Sequence, residues 1–150
     1  MPIISILAFI IGCLLVVYLN RSKPTLPKES YVPVSSNQNS VLLTLINNER
    51  VQNGLPELVP EELLTTICEE KCDEMIATKS VDHVGFSNRF VKSRALTLLE
   101  NVGYGFSTDN SIFHAYMRSP GHKANILSKN TTHIGIYTKS SYNCCLFARY

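Results

Sequence analysis

SPGHKANIL, Ser119 to Leu127, sets a histidine between a proline-glycine break and a short apolar pattern. Pro120 fixes its own φ and Gly121 is open to angles closed to other residues, so a helix that runs up to Met117 is expected to stop here. Ala124, Ile126 and Leu127 can then root the next turn in a core and hold His122 in one place. The rest of the chain supplies what that imidazole could face: His83 in VDHVGF, Glu100 in ENVGYG, and Ser119 itself.

Working outward, the segment before SPGH reads as a helix. Thr108, Asp109 and Asn110 form a capping cluster ahead of Ile112, Phe113, Tyr116 and Met117. After it, THIGIYT and CCLFARY flank a turn-like run from Lys139 to Asn143, which reads as a β-hairpin. ENVGYGF alternates enough to suggest a short strand. Upstream, Ser40 can cap a helix with Val41, Leu42, Leu45 and Ile46 on one face, Arg50 toward its end and Gly54 as a stop. A second amphipathic helix carries Leu63, Leu64, Ile67, Cys68, Cys72, Met75 and Ile76, with Glu62, Glu69, Glu70, Lys71, Asp73 and Glu74 on a side that reads as solvated. Asn88 to Leu99 is expected to form another helix, after a loop that contains His83. Helices first and an antiparallel pair last define an α+β class, an α-β-α sandwich.

The chain has 150 residues, 45% hydrophobic and 17% charged, with a net charge of +2. That fits one globular domain with a short extra segment. Its basic residues are scattered, so no stripe suited to phosphate backbones exists and nucleic acid is not expected as a partner. Met1 to Asn20 holds no charged side chain, and its run IISILAFIIGCLLVVYL approaches the roughly 20 residues that span a bilayer core. Residues 1–20 are therefore expected to be an uncleaved transmembrane signal-anchor, because neither a basic start nor a small-residue cut site is present. Residues 21–39, with Pro24, Pro27 and Pro33, form a tether, and residues 40–150 the folded domain.

Arg21, Lys23 and Lys28 after the apolar run favour a cytoplasmic domain. Four cysteines in the domain and the sequon Asn130-Thr131-Thr132 favour export, and an extracellular or lumenal domain on a single-pass membrane protein is the expectation adopted. Cys144 and Cys145 are adjacent and must point to opposite faces of a strand. The cysteines read either as buried small hydrophobes or as including one helix-to-strand disulfide between Cys68 or Cys72 and one of that pair.

The order LLTLINNERVQNGLPEL, His83, ENVGYGFST, AYMRSPGHKANIL, THIGIY and FARY resembles the CAP superfamily. This is the SCP-like domain of cysteine-rich secretory proteins, antigen 5 and plant pathogenesis-related proteins, and the similarity is greatest to its compact bacterial-type branch. The resemblance implies an α-β-α sandwich with a central cleft of two histidines and acidic side chains, where some members bind zinc or another divalent metal. By position, His83 and His122 correspond to the paired histidines and Glu100 to the first acidic residue, so His83, His122 and Glu100 are the implied metal ligands. Ser119 falls where eukaryotic members have a second glutamate, and Tyr116 where a tryptophan is usual, completing a cleft of His83, Glu100, Tyr116, Ser119 and His122.

Two imidazoles and a carboxylate suit zinc with an open position for water. No HExxH helix accompanies them, so the histidines read equally as a metal pair or as partners in structural hydrogen bonds. Three functions remain open on this reading. The first is a membrane-tethered extracytoplasmic module binding a lipid, surface or protein ligand. The second is a metal-assisted, peptidase-like hydrolase using Glu100 and His122. The third is a structural envelope or surface protein of a virus or bacterium. Ser119 beside His122 also raises serine nucleophilic catalysis, for which no oxyanion donor is evident.

Overall fold

The computed structural model describes residues 40–150. The expected anchor and tether, residues 1–39, lie outside the described residues. Among the described residues, no helix is long and apolar enough to cross a membrane.

Helix α1, Val41–Gln52, starts where Ser40 accepts a hydrogen bond from the Leu43 amide at 3.1 Å, and it ends at Asn53 before Gly54 at φ +73. Leu42, Leu43 and Ile46 are buried, whereas Val41 faces solvent, so the apolar stripe is rotated from the expected one. Strand β1, Val59–Pro60, leads into α2, Glu62–Thr78, whose Leu64, Ile67, Cys68, Cys72 and Met75 are fully buried. Helix α3 is Phe86–Ser93, and here the expected helix to Leu99 is corrected: Arg94 turns left-handed at φ 56 and the chain enters strand β2 at Thr97. The reason lies in the β-type pattern from Thr97, where Leu98, Glu100 and Val102 share one face of β2, Thr97–Tyr104.

Helix α4, Asp109–Arg118, opens on a reciprocal capping box between Thr108 and Ser111. Asp109 at its first turn also accepts from the Leu42 amide of α1 at 2.9 Å, stitching the two helix starts together. Ser119 is extended at φ −93 and ψ 117, and Pro120 is the first residue of α5, Pro120–Ile126. The break therefore comes from Ser119 and not from a proline-glycine turn, because proline is well suited to the first helical position. Strands β3, His133–Lys139, and β4, Tyr142–Arg149, form the expected hairpin, turned by Ser140 and Ser141 at positive φ.

The sheet order is β1-β3-β4-β2, with β1 parallel to β3 and the other pairs antiparallel. Strand β4 is unbroken in burial from Asn143 to Ala148, as a strand covered on both faces must be. Cys145 and Phe147 join Ile134 and Ile136 in one apolar cluster with Leu42, Ile46, Ile112, Tyr116 and Ile126. Cys144, Leu146 and Ala148 join Leu98 and Val102 in a second with Leu64, Ile67, Cys68, Cys72 and Met75. Helices thus cover both faces: α1, α4 and α5 on one, α2 on the other, an α-β-α sandwich.

The adjacent cysteines do point to opposite faces, and of the two readings left open the buried-hydrophobe one holds, since no disulfide is formed among the described residues. Cys68, Cys72, Cys144 and Cys145 are free thiols. The sulfurs of α2 donate to strand carbonyls instead, Cys68 to Gly135 at 3.4 Å and Cys72 to Tyr137 at 3.6 Å. Burial raises all four thiols, that of Cys72 to about 12, so they are poor nucleophiles and act as core hydrophobes.

Candidate functional site

Edge strand β2 is the spine of the site. Glu100 sits on its α2 face, yet its backbone carbonyl is taken by Asn125 Nδ2 of α5 at 3.1 Å. Asn101 returns the contact, donating from Nδ2 to the His122 carbonyl at 3.1 Å and accepting from Asn125 at 2.8 Å. These bonds hold α5 against the strand and so fix where His122 stands.

The loop between α2 and α3 brings His83 from the opposite face. Its foundation is Lys71, expected on the solvated side of α2 but buried in the structure. The Lys71 ammonium bonds Glu74 at 3.0 Å, Asp82 at 3.1 Å and the Val84 carbonyl at 3.4 Å. Asp82 accepts from the Val84 amide at 3.0 Å and from the Ser80 hydroxyl at 2.6 Å. The Ser80 hydroxyl, Lys71 and that amide together hold the Asp82 carboxyl down at about 2. A carboxyl depressed in the fold stabilises it above the unfolded value and loses that effect as pH falls through the folded one. Urea unfolding should therefore show wild type losing more stability than Asp82→Asn between pH 4 and pH 2; parallel curves would contradict this.

His83 Nδ1 lies 2.8 Å from Glu100 Oε1, and its side chain is 56% exposed while that of Glu100 is 2% exposed. Arg89 of α3 completes the arrangement. Its Nε and Nη2 donate to the two Glu100 oxygens at 2.6 and 2.9 Å, and its Nη1 donates to the Val84 carbonyl at 2.8 Å. Sequence reasoning gave Arg89 no role. The only signal was a charged residue in α3 at a position that the helix turns inward.

His122 packs edge-on against Tyr116, with ring centroids 5.0 Å apart. Burial, and next the proximity of His83, lower its pKa, so it is neutral at pH 7. Tyr116 is more than a cleft wall: its hydroxyl lies 2.5 Å from Asn143 Oδ1 and 3.3 Å from the Asn101 carbonyl, and burial pushes its pKa well up. Tyr116→Phe keeps the ring against His122 but leaves Asn143 without its partner. A loss of about 1–2 kcal/mol in urea unfolding is expected, and an unchanged midpoint would contradict it.

His83, Glu100, Tyr116 and His122 are thus gathered at one edge of the sheet. Ser119 ends α4 nearby, but its hydroxyl makes no hydrogen bond among the described residues, so no serine-histidine pair is formed. His114 is exposed on α4 against Phe113, and His133 packs on Tyr150; neither joins the site. Among the described residues, no three His, Cys, Asp or Glu side chains form a cluster able to hold a metal. Both Glu100 oxygens are engaged, Oε1 by His83 and Arg89 and Oε2 by Arg89.

A three-layer fold of this kind is shared with SCP-domain proteins. The chain belongs to the CAP, or cysteine-rich secretory protein, family, whose profile matches residues 43–148. It is 34% identical over 102 residues to the protein YkwD of Bacillus subtilis (strain 168), a match that covers 63% of this chain and 40% of that protein. The fold is similar to that of an extracellular SCP-domain protein from Bacillus anthracis str. Ames, with a TM-score of 0.69 at 18% identity, over 73% of this chain and 39% of the other. A cysteine-rich secretory protein from Staphylococcus aureus subsp. aureus Mu50 gives 0.68 at 23% identity, over 79% and 40%. An outer surface protein from Borrelia burgdorferi gives 0.66 at 22% identity, over 73% and 90%. The chain spans about 40% of the length of the Bacillus subtilis relative.

Proposed function

We propose that the domain is an extracytoplasmic ligand-binding module, tethered to a membrane through residues 1–20, whose His83 and His122 rings take a divalent cation such as zinc. The observation that carries this is the pairing of Glu100 with the inner nitrogen of His83, which leaves the outer nitrogen of an exposed ring free of that carboxylate, with His83 near enough to His122 to help lower its pKa. The donor set fits an open site and not a closed one: two imidazoles, one buried carboxylate that orients the first of them, and no third ligand. A cation held there would act as a Lewis acid with positions free for oxygen groups of a lipid, surface or protein ligand. His83 supplies one ligand, His122 the other, and Tyr116 keeps the His122 ring from turning into the core. An extracytoplasmic setting is supported by relatives described as extracellular and outer surface proteins.

Titration calorimetry with zinc tests the site. The protein should bind one ion, and His83→Ala and His122→Ala should each abolish that binding while circular dichroism stays unchanged. Equal uptake by all three proteins would remove the proposal.

A further inference from the structure

The guanidinium of Arg89 is buried and spends its donors on four acceptors. Two are the oxygens of Glu100, one is the Val84 carbonyl, and the fourth is the carbonyl of His83 itself, at 3.4 Å from Nη2. The same group therefore holds His83 twice, by its backbone and, through Glu100, by its ring. Glu74 adds a looser ion pair at 3.7 Å, which links Arg89 to Lys71 and so to the base of the His83 loop.

We propose that Arg89 is a positioning residue for the cleft: by holding both Glu100 oxygens in place it keeps one of them on His83 Nδ1, which selects the Nδ1–H tautomer and turns Nε2 outward. This rests on the two-histidine reading above, since only the outward lone pair matters to a cation. The physical reason is charge balance. A buried carboxylate that faces only a neutral imidazole is costly, whereas one clasped by a planar guanidinium is satisfied on both oxygens. Without Arg89, Glu100 gives up that geometry and nothing selects the Nδ1–H form. Lysine is no substitute, because a single ammonium cannot reach four acceptors spread around a fork.

The test uses the full chain, nitrogen-15 labelled, metal-free at pH 7.5 in detergent micelles, with two-bond proton–nitrogen correlations of the histidine rings. In wild type, the His83 pattern should be that of Nδ1–H. In Arg89→Lys and Arg89→Met it should shift to Nε2–H or a mixture, while His114 and His133 keep their wild-type patterns. Zinc affinity of these variants should fall about 10- to 100-fold. Should the arginine variants fail to fold, Glu100→Leu removes the acceptor at similar size and should shift His83 likewise. An Nε2–H pattern in wild type overturns the proposal, as does an unchanged pattern in a folded Arg89 or Glu100 variant. The two readings separate cleanly. Absent zinc binding with an Arg89-dependent tautomer removes only the cation site, whereas zinc binding with a tautomer indifferent to Arg89 removes only the role of Arg89.

Discussion

Gly135→Ala is expected to destabilise the domain by about 3 kcal/mol or more, enough to lower the melting temperature by about 10 °C in a domain of this size. Gly135 lies on β3 where α2 crosses the sheet. A Cβ there would stand 2.5 Å from Leu64 Cβ and still closer to the Leu64 carbonyl carbon and the Thr65 amide nitrogen. Two of those three are backbone atoms of a helix, so no side-chain rotation relieves the overlap. The helix must back away from the strand, and in doing so it opens the cluster of Leu64, Ile67, Cys68 and Leu146. It also strains the Cys68 thiol bond to the Gly135 carbonyl. The contrast is Gly54→Ala, where nothing lies within 4 Å and only the left-handed backbone resists, so a cost of about 1 kcal/mol is expected. Thermal and urea unfolding of both variants checks the difference. Equal stability of Gly135→Ala and wild type would mean that α2 does not rest on β3 through this glycine.

The elements that were legible in the sequence are those written in local chemistry. Ser40 and Thr108 announce helix starts because a side-chain oxygen satisfies an amide that the helix cannot. The apolar spacing of α2 and the unbroken apolar run of β4 follow from burial on one stripe and on two faces. What escaped is buried charge. Lys71 read as solvated, and neither Arg89 nor Arg50 announced itself as buried, since charge is almost always at the surface unless it is paired, and their partners lie elsewhere in the chain. The same blindness touched the site. The resemblance pointed to His83 and Glu100, which lie 2.8 Å apart, but it could not show that Arg89 clasps the Glu100 carboxylate. Nor could it show Asn101 and Asn125 bracing α5, although a lone asparagine between apolar strand residues is a signal that a buried partner is required. The reading of Pro120 and Gly121 as a turn failed because the extended Ser119 carries the break and Pro120 already opens the next helix.

The larger loss is expected from Arg50. This residue at the end of α1 is fully buried, and among the described residues no carboxylate pairs with it. It bonds four backbone carbonyls instead: Pro56 at 2.9 Å, Ile126 at 2.7 Å, Ser128 at 2.9 Å and Thr131 at 3.3 Å. Desolvation lowers its pKa, yet a guanidinium remains charged, and the partial negative charges of these carbonyls stabilise it. Ile126 ends α5, so the cation also meets the negative end of that helix. One side chain thereby ties α1 to the exit of α5 and to the loop that leads into β3. Arg50→Met retains much of the stem's packing but takes the guanidinium donors from four carbonyls, leaving only Ser128 another donor among the described residues, the Thr131 hydroxyl at 3.4 Å, and a loss of about 3–5 kcal/mol is expected. Arg50→Lys should recover little, because one ammonium cannot span acceptors contributed by three separate segments. Because α5 carries His122, partial unfolding should appear there first. Hydrogen exchange at the amides of residues 123–127 should accelerate in Arg50→Met before that of β4 does, under conditions where the core remains folded. Uniform exchange rates, or a urea midpoint within about 0.5 kcal/mol of wild type, would show that the clasp does not hold the histidine helix in place.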